Sequence, residues 1–130
     1  MITTEKLYQL AKNTIYPISL KADACAGQVA CALETENRKI YTGICVDMPC
    51  SLGFCAEQAA IAEMLKNGET NIVKIIAVYE DGTILAPCGK CREFISQLSD
   101  KNMSTIVVIG KNQEIELQKL LPEQWDKERT

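Results

Sequence analysis

The sequence contains no histidine among its 130 residues, and aromatic side chains make up only 5% of it. Without histidine, neither a Ser-His-Asp triad nor a Cys-His dyad can form, so acid–base catalysis at neutral pH would fall to Glu, Asp, Cys, Lys or Tyr. A zinc site would have to use cysteine and carboxylate ligands. No apolar run approaches the roughly 20 residues of a membrane span, and the first residues lack the layout of a signal peptide. We therefore expect no membrane partner.

Basic residues are also scarce relative to acidic ones. The chain has 14 Lys and Arg against 17 Asp and Glu, a net charge of −3 and a pI of about 5.0. A nucleic-acid partner is not expected, because binding a polyphosphate requires a basic surface. The length suits one domain, predicted over residues 1–130. Seven cysteines, an odd number without an export signal, indicate reduced thiols in a cytoplasmic protein.

Hydrophobic periodicity predicts the element order α-β-β-α-β-α-β-β. The segment 72–79 is β-branched and nearly continuous, which is typical of a central strand covered on both faces. Gly43 is expected to end the second strand. The fold class predicted is α/β, a three-layer α/β/α sandwich with a mixed five-stranded sheet. The predicted helices cover residues 3–13, 55–66 and 88–98, and the predicted strands cover 28–35, 39–45, 72–79, 104–110 and 113–117.

Two cysteine motifs carry the candidate chemistry, and each begins a predicted helix. The first is Cys55-Ala-Glu57, and the second is Pro-Cys88-Gly-Lys-Cys91. A helix N-terminus favours negative charge, so thiolates form there more easily. A zinc site with three cysteines and one open position is suited to activating water. Cys55, Cys88 and Cys91 are therefore candidate Zn²⁺ ligands, and Glu57 is the candidate proton carrier.

Two other interpretations of these motifs remain open. A purely structural zinc site would be closed by a fourth ligand, Cys50 or Cys45. A Cys-x-x-Cys at a helix start can also be a thioredoxin-like redox pair. The structural zinc site leaves Glu57, on its helix, without a role. The redox pair leaves Cys55 unexplained. Cys31 lies in an apolar run and is expected in the core.

Together the two motifs match the three-cysteine signature of zinc deaminases. From about residue 29 to residue 125 the chain resembles the cytidine deaminase family, in its small homotetrameric branch, which includes blasticidin S deaminase-like proteins. Further segments that carry the resemblance are Thr42-Gly43, Ala59-Ala60-Ile61 and Leu120-Leu121-Pro122.

The resemblance implies a homotetrameric zinc enzyme that hydrolyses the cytosine ring of a free cytidine- or deoxycytidine-like nucleoside to uracil and releases ammonia. Cys55, Cys88 and Cys91 fall on the zinc ligands. Glu57 falls on the glutamate that carries a proton to ring N3 and then to the leaving amine. One alternative is deamination of a modified cytosine nucleoside such as blasticidin S. Another, from a different class, is a non-catalytic zinc-containing protein that binds nucleosides.

The positions implied for substrate binding depart from the family pattern. Cys45 and Asp47 stand where family members often carry Asn-x-Glu to hold the ribose, and a base-stacking Phe is replaced at Gly27 or Gln28. A thiol is a poor substitute for an amide, because it is a weak donor and a weak acceptor. We therefore expect relaxed or redirected recognition of the group on ring N1. Ala56 is also implied to contact substrate.

Three further positions are interpreted through the resemblance. Trp125 follows Leu-Leu-Pro, where the family has an aromatic residue that reaches toward a neighbouring subunit's site. Gln58 replaces the Arg that often helps to neutralise the thiolates. Arg92 is the expected substitute for that charge compensation.

Overall fold

The computed structural model describes residues 1–126, and within that range it contains seven β-strands and four α-helices. The strands are β1 (Ile18–Ser19), β2 (Cys25–Thr35), β3 (Ile40–Asp47), β4 (Ile72–Tyr79), β5 (Ile84–Leu85), β6 (Ile106–Gly110) and β7 (Gln113–Glu116). The helices are α1 (Thr4–Thr14), α2 (Ala56–Lys66), α3 (Gly89–Ser96) and α4 (Leu117–Leu120), and a 3₁₀ helix covers Asp100–Ser104.

The five longer strands form a mixed sheet in the order β3-β2-β4-β6-β7. Only the β4–β6 pair is parallel among the described strands. The two-residue strands β1 and β5 pair with β2 and β4. The predicted mixed five-stranded sheet is confirmed. The two short strands were not predicted, because two residues carry no periodicity that a sequence could show.

Helices cover both faces of the sheet. On one face, Leu7 of α1 packs with Ile76 of β4 in a buried cluster. On the other face, Ile61 of α2 and Ile95 of α3 pack with Ile75 of β4. Successive side chains of a strand point to opposite faces, so β4 is buried on both sides. The predicted three-layer sandwich and the doubly covered strand are both confirmed.

The prediction that Gly43 ends the second strand is wrong. β3 continues to Asp47, and Gly43 pairs with Cys31 inside it. A methyl group added to Gly43 would lie 2.4 Å from the backbone nitrogen of Ala60 in α2. The glycine is therefore explained by close approach of a helix and not by a turn. Smaller differences are that Ser104 belongs to the 3₁₀ helix and that α3 ends at Ser96.

The seven cysteines are unpaired within the described residues. Cys31 is fully buried in the core, as predicted. Burial, and then the nearby charge of Glu57, raises the pKa of the Cys31 thiol. Within residues 1–126, no helix has the length and apolar character needed to cross a membrane.

Candidate active site

A short bridge between β3 and the chain entering α2 builds one side of the site. The N–H of Val46 donates to the carbonyl of Phe54 at 3.0 Å, and the N–H of Phe54 donates back at 2.9 Å. Gly53 fits against this bridge, since an added methyl group would lie 2.2 Å from the Val46 carbonyl oxygen. The intervening loop is thereby closed at its base. Cys55 consequently sits beside the end of β3.

Cys55 is the N-cap residue of α2. Its backbone N–H donates to Gln58 Oε1 at 3.4 Å, which is one half of a capping-box arrangement. The Gln58 Nε2 atom is buried and has no hydrogen-bond partner in the described part of the chain. Ala56 is 1% exposed and belongs to the core cluster. Its side chain is thus occupied by packing, and its expected substrate contact stays a prediction.

Cys88 is the N-cap residue of α3. Burial tends to raise the pKa of its thiol, but hydrogen bonds from the backbone N–H groups of Cys91 and Lys90, together with those from the neighbouring thiols, bring the net pKa below its usual value. This is the effect expected for a thiol at a helix N-terminus. The pKa of the Cys91 thiol is raised, first by burial and then by the charge of Glu57.

The three predicted ligand residues come together. The Sγ atoms of Cys55, Cys88 and Cys91 all lie within 4.8 Å of one another. Tetrahedral zinc with bonds of roughly 2.3 Å would set sulfur atoms roughly 3.8 Å apart, and separations of no more than 4.8 Å are compatible with such a site. Neither Cys45 nor Cys50 belongs to the cluster. Within residues 1–126, the arrangement fits a three-thiolate zinc site with an open fourth position.

Glu57 lies in the first turn of α2 and is only 7% exposed. Burial raises the pKa of its carboxyl group, and its own backbone N–H offsets part of that effect. Its charge also raises the pKa of Cys91, so the carboxylate lies close to the thiols. A buried carboxyl with a raised pKa beside a metal-ligand cluster has the properties of a general acid–base group.

A cleft of about 590 Å³ opens beside the cluster. Cys55 and Lys90 line it, and Phe54 and Tyr79 add aromatic surface. The sequence interpretation did not identify Lys90, Phe54 and Tyr79. Phe54 precedes Cys55, Lys90 follows shortly after Cys88, and Tyr79 ends β4. These positions were the available signal, because binding groups collect at strand and helix ends.

The cleft also contains the two residues predicted at the ribose positions. Cys45 and Asp47 both line it, together with Cys25 and Gln28. The Cys25 thiol lies 4.0 Å from Asp47 Oδ2. The Cys45 thiol lies 3.5 Å from Gln28 Oε1. The structure therefore groups the expected pair with a glutamine that the sequence interpretation considered only as a replaced position.

Two other predicted residues, Arg92 and Trp125, lie on α3 and in the segment after α4. Arg92 Nε donates to the Pro87 carbonyl at 2.9 Å, and its Nη1 donates to the Leu120 carbonyl at 3.2 Å. Trp125 is 63% exposed, and its backbone N–H donates to Glu93 Oε1 at 2.7 Å. Arg92 fastens the turn before Cys88 to α4. Charge compensation by Arg92 and contact of Trp125 with a neighbouring subunit's site remain predictions.

Comparison with known proteins defines the class. Residues 1–115 match the family model described as the cytidine and deoxycytidylate deaminase zinc-binding region. Blasticidin-S deaminase from Bacillus cereus is 26% identical over 129 residues, covering 93% of this chain and 85% of that protein. Cytidine deaminase from Sporosarcina psychrophila is 28% identical over 103 residues, covering 77% of this chain and 76% of that protein.

Solved structures show the same fold. Cytidine deaminase from Mycobacterium tuberculosis superposes with a TM-score of 0.81 at 20% identity, covering 96% of this chain and 98% of that one. The family model and the thiol cluster together define a deaminase with a zinc-binding region. The chain belongs to the cytidine and deoxycytidylate deaminase family, and it is a hydrolytic deaminase.

Proposed function

We propose that this chain is a zinc-dependent deaminase that converts the cytosine ring of a free cytidine- or deoxycytidine-like nucleoside to uracil and releases ammonia. One observation carries the proposal. Cys55, one of the three clustered thiols, lines a cleft that Asp47 and Gln28 also line, and the buried Glu57 lies in the first turn of the helix that Cys55 caps. The volume of about 590 Å³ falls within the roughly 300–1,000 Å³ of small-molecule sites.

Cys55, Cys88 and Cys91 would hold the metal. Zinc bound there supplies a Lewis acid that lowers the pKa of a water molecule. Three thiolates carry three negative charges, which outweigh the two positive charges of zinc. The N-termini of α2 and α3 offset part of this excess negative charge. Cys88 already has a pKa below its usual value through backbone N–H donors.

Glu57 would move the protons of the reaction. Hydrolysis forms a C4–O bond from water and breaks the C4–N bond to the exocyclic amine, so one water is consumed and one ammonia leaves. Glu57 takes a proton from the attacking water and places it on ring N3. It then takes the proton of the new C4 hydroxyl group and transfers it to the departing amine, so that C4 becomes a carbonyl and ammonia leaves. Burial raises the pKa of its carboxyl group, which makes both steps accessible near neutral pH.

A second candidate substrate is a modified cytosine nucleoside such as blasticidin S. The alignment with the Bacillus cereus blasticidin-S deaminase favours it, since that alignment covers 93% of this chain. Cys45 and Asp47 in place of Asn-x-Glu also point to altered recognition beyond the ring. Both candidates share the chemistry at C4 and differ in the group attached to N1.

The test is a deamination screen with purified, zinc-loaded protein. Cytidine, deoxycytidine, cytosine, their 5-substituted forms and blasticidin S are each incubated with it, and ammonia and the uracil-type product are measured. We expect turnover of at least one nucleoside, and the variant Glu57→Gln is the control. Binding of nucleosides without ammonia release would instead support the non-catalytic alternative.

We also propose that residues 1–130 form one domain and that the enzyme is a cytoplasmic homotetramer. A site of three thiolates works only while they are reduced, which supports the location.

Exposed Leu52 and Trp125 supply apolar surface for subunit contacts. Light scattering at micromolar concentration should give four times the chain mass, and a monomer would contradict it. Truncation after Leu121 should raise the KM if Trp125 completes a neighbouring site.

A further inference from the structure

Strand β2 contains an unusual bulge where it borders the cleft. Ala26 pairs with Val46 and Ala30 pairs with Ile44, so the three residues 27–29 stand opposite Cys45 alone. Bulges of this kind bend a strand and redirect its side chains, and they occur often beside active sites. The register on both sides of the bulge is otherwise regular.

Gly27 makes the bulge possible. Its φ is +83°, a conformation that residues with a side chain rarely adopt. A methyl group added there would lie 1.9 Å from the carbonyl oxygen of Tyr16. The N–H of Tyr16 donates to the Gly27 carbonyl at 3.0 Å, which fastens the bulge to the chain before β1. The backbone contacts of Gly27 therefore fix the position of the neighbouring Gln28.

A short hydrogen-bond chain then orients the side chain of Gln28. The N–H of Val29 donates to Cys45 Sγ at 3.4 Å, and the Cys45 thiol donates to Gln28 Oε1 at 3.5 Å. Because Oε1 faces Cys45, the Nε2 donors lie on the other side of the carboxamide. Nε2 makes no hydrogen bond within the described residues, and both Gln28 and Asp47 line the cleft.

We propose that Gln28 is a specificity-determining residue that donates from Nε2 to a hydroxyl of the group on ring N1. Asp47 accepts a hydrogen bond from that group, and Cys45 is a positioning residue that acts through Gln28. A sugar hydroxyl is both donor and acceptor, so an amide donor and a carboxylate acceptor satisfy it together. The inference rests on the proposed function, because it assumes a cytosine nucleoside as substrate.

This arrangement changes the expectation drawn from Cys45. A thiol in place of an amide predicts a hydroxyl without a good partner. Gln28 returns an amide to the same wall of the cleft from the adjacent strand, and the thiol becomes the group that orients it. Recognition of the N1 substituent is then redirected to Gln28 and not lost.

The experiment compares cytidine with free cytosine, which has no N1 substituent. Gln28→Met preserves length and removes the donor, so kcat/KM for cytidine should fall roughly 5- to 150-fold, mainly through KM. Free cytosine should change less than about twofold. Cys45→Ala should lower cytidine turnover by a smaller factor, and Cys45→Ser, which keeps a donor toward Oε1, should restore it. Gln9→Met, on the exposed face of α1, is the matched control.

Equal losses on cytidine and cytosine, or no loss on either, would overturn the role of Gln28. Circular dichroism and thermal melting check that each variant folds. If Gln28→Met unfolds, the Cys45→Ala and Cys45→Ser pair decides, since only a positioning role predicts rescue by serine.

Titration calorimetry in a Glu57→Gln background separates this inference from the proposed function. A Kd for cytidine that depends on Gln28, together with a parent protein that deaminates none of the screened substrates, would refute the function and keep the inference. A Kd that does not depend on Gln28 would refute the inference. The absence of any binding of cytidine or deoxycytidine would refute both.

Discussion

Gly43 and Ala60 meet through their main chains. The hydrogen-sized side chain of Gly43 leaves room for the backbone of α2, and an added methyl group would lie 2.4 Å from the Ala60 nitrogen. Helix α2 carries Cys55 and Glu57 at its start. The distance at which this helix packs on β3 therefore sets the position of one candidate metal ligand and of the candidate proton carrier.

Gly43→Ala should destabilise the protein and disturb the site. Overpacking of this kind costs about 1–3 kcal/mol, and here the obstructing atoms are backbone. Gly89→Ala is the control, because nothing lies within 4 Å of the added methyl group at the first position of α3. The control should be neutral or stabilising by about 0.4–1 kcal/mol. Urea unfolding of the two zinc-loaded variants measures their free energies of unfolding, and equal values would refute the packing argument.

Glu57→Gln should retain the fold and the metal yet lose activity by at least about 10²–10⁴-fold, because the amide cannot accept and return a proton. Glu63→Gln, an exposed change on the same helix, should leave activity within about twofold of the parent. Steady-state assays and metal analysis give the two readouts. Full activity of Glu57→Gln would show that another group carries the proton.

Alkylation of the metal-free protein should begin at Cys88 within the cluster. Its pKa lies below the usual value, whereas the pKa values of Cys55 and Cys91 are raised chiefly by burial. Because the thiolate reacts, Cys88 should be modified at a lower pH than its two neighbours. Mass spectrometry after iodoacetamide treatment at several pH values measures the order.

Zinc should protect all three thiols and leave the exposed Cys50 reactive. One equivalent of zinc per chain should give this protection. Protection of Cys50 together with the other three would indicate a closed structural site with a fourth cysteine.

Asp47→Ala should harm nucleoside turnover more than turnover of free cytosine. The lost acceptor leaves a substrate hydroxyl without its partner, so kcat/KM for cytidine should drop roughly 5- to 150-fold. Asp100→Ala, an exposed change in the 3₁₀ helix, is the control. A loss of the same size on cytosine would show that Asp47 maintains the shape of the cleft and does not bind the group on ring N1.

Asn102→Ala should be the most destabilising of these variants. Asn102 is fully buried, accepts from the Ile72 N–H at 2.8 Å and donates to the carbonyls of Thr70 and Ile95 at 3.0 and 3.1 Å. Its removal leaves buried backbone groups unpaired, at about 1–3 kcal/mol each. The exposed Asn67→Ala should cost under about 1 kcal/mol. Thermal melting of both variants tests the contrast.

The sequence predicted what depends on local pattern. The candidate ligands Cys55, Cys88 and Cys91 and the candidate proton carrier Glu57 were predicted from short motifs at helix starts, and the structure brings the three thiols together. The central strand was found from its continuous β-branched run. Such features are properties of a few neighbouring residues.

What the sequence did not predict depends on distant backbone. Gly43 was interpreted as a strand end because its contact, Ala60, lies 17 positions away. The orientation of Gln28 requires the bulge, the chain at Tyr16 and the thiol of Cys45 at once. No local periodicity encodes a relationship among three separated segments.

The bulge of β2 contains positions under different constraints. Gly27 is constrained by its positive φ and by Tyr16, and Val29 is constrained by its pairing with Tyr79 of β4. Gln28, between them, lines the cleft, so a substitution there would reshape the wall of the cleft and leave the thiol cluster, on other elements, in place. Substrate preference in this fold can therefore diverge at one position while the thiol cluster stays the same.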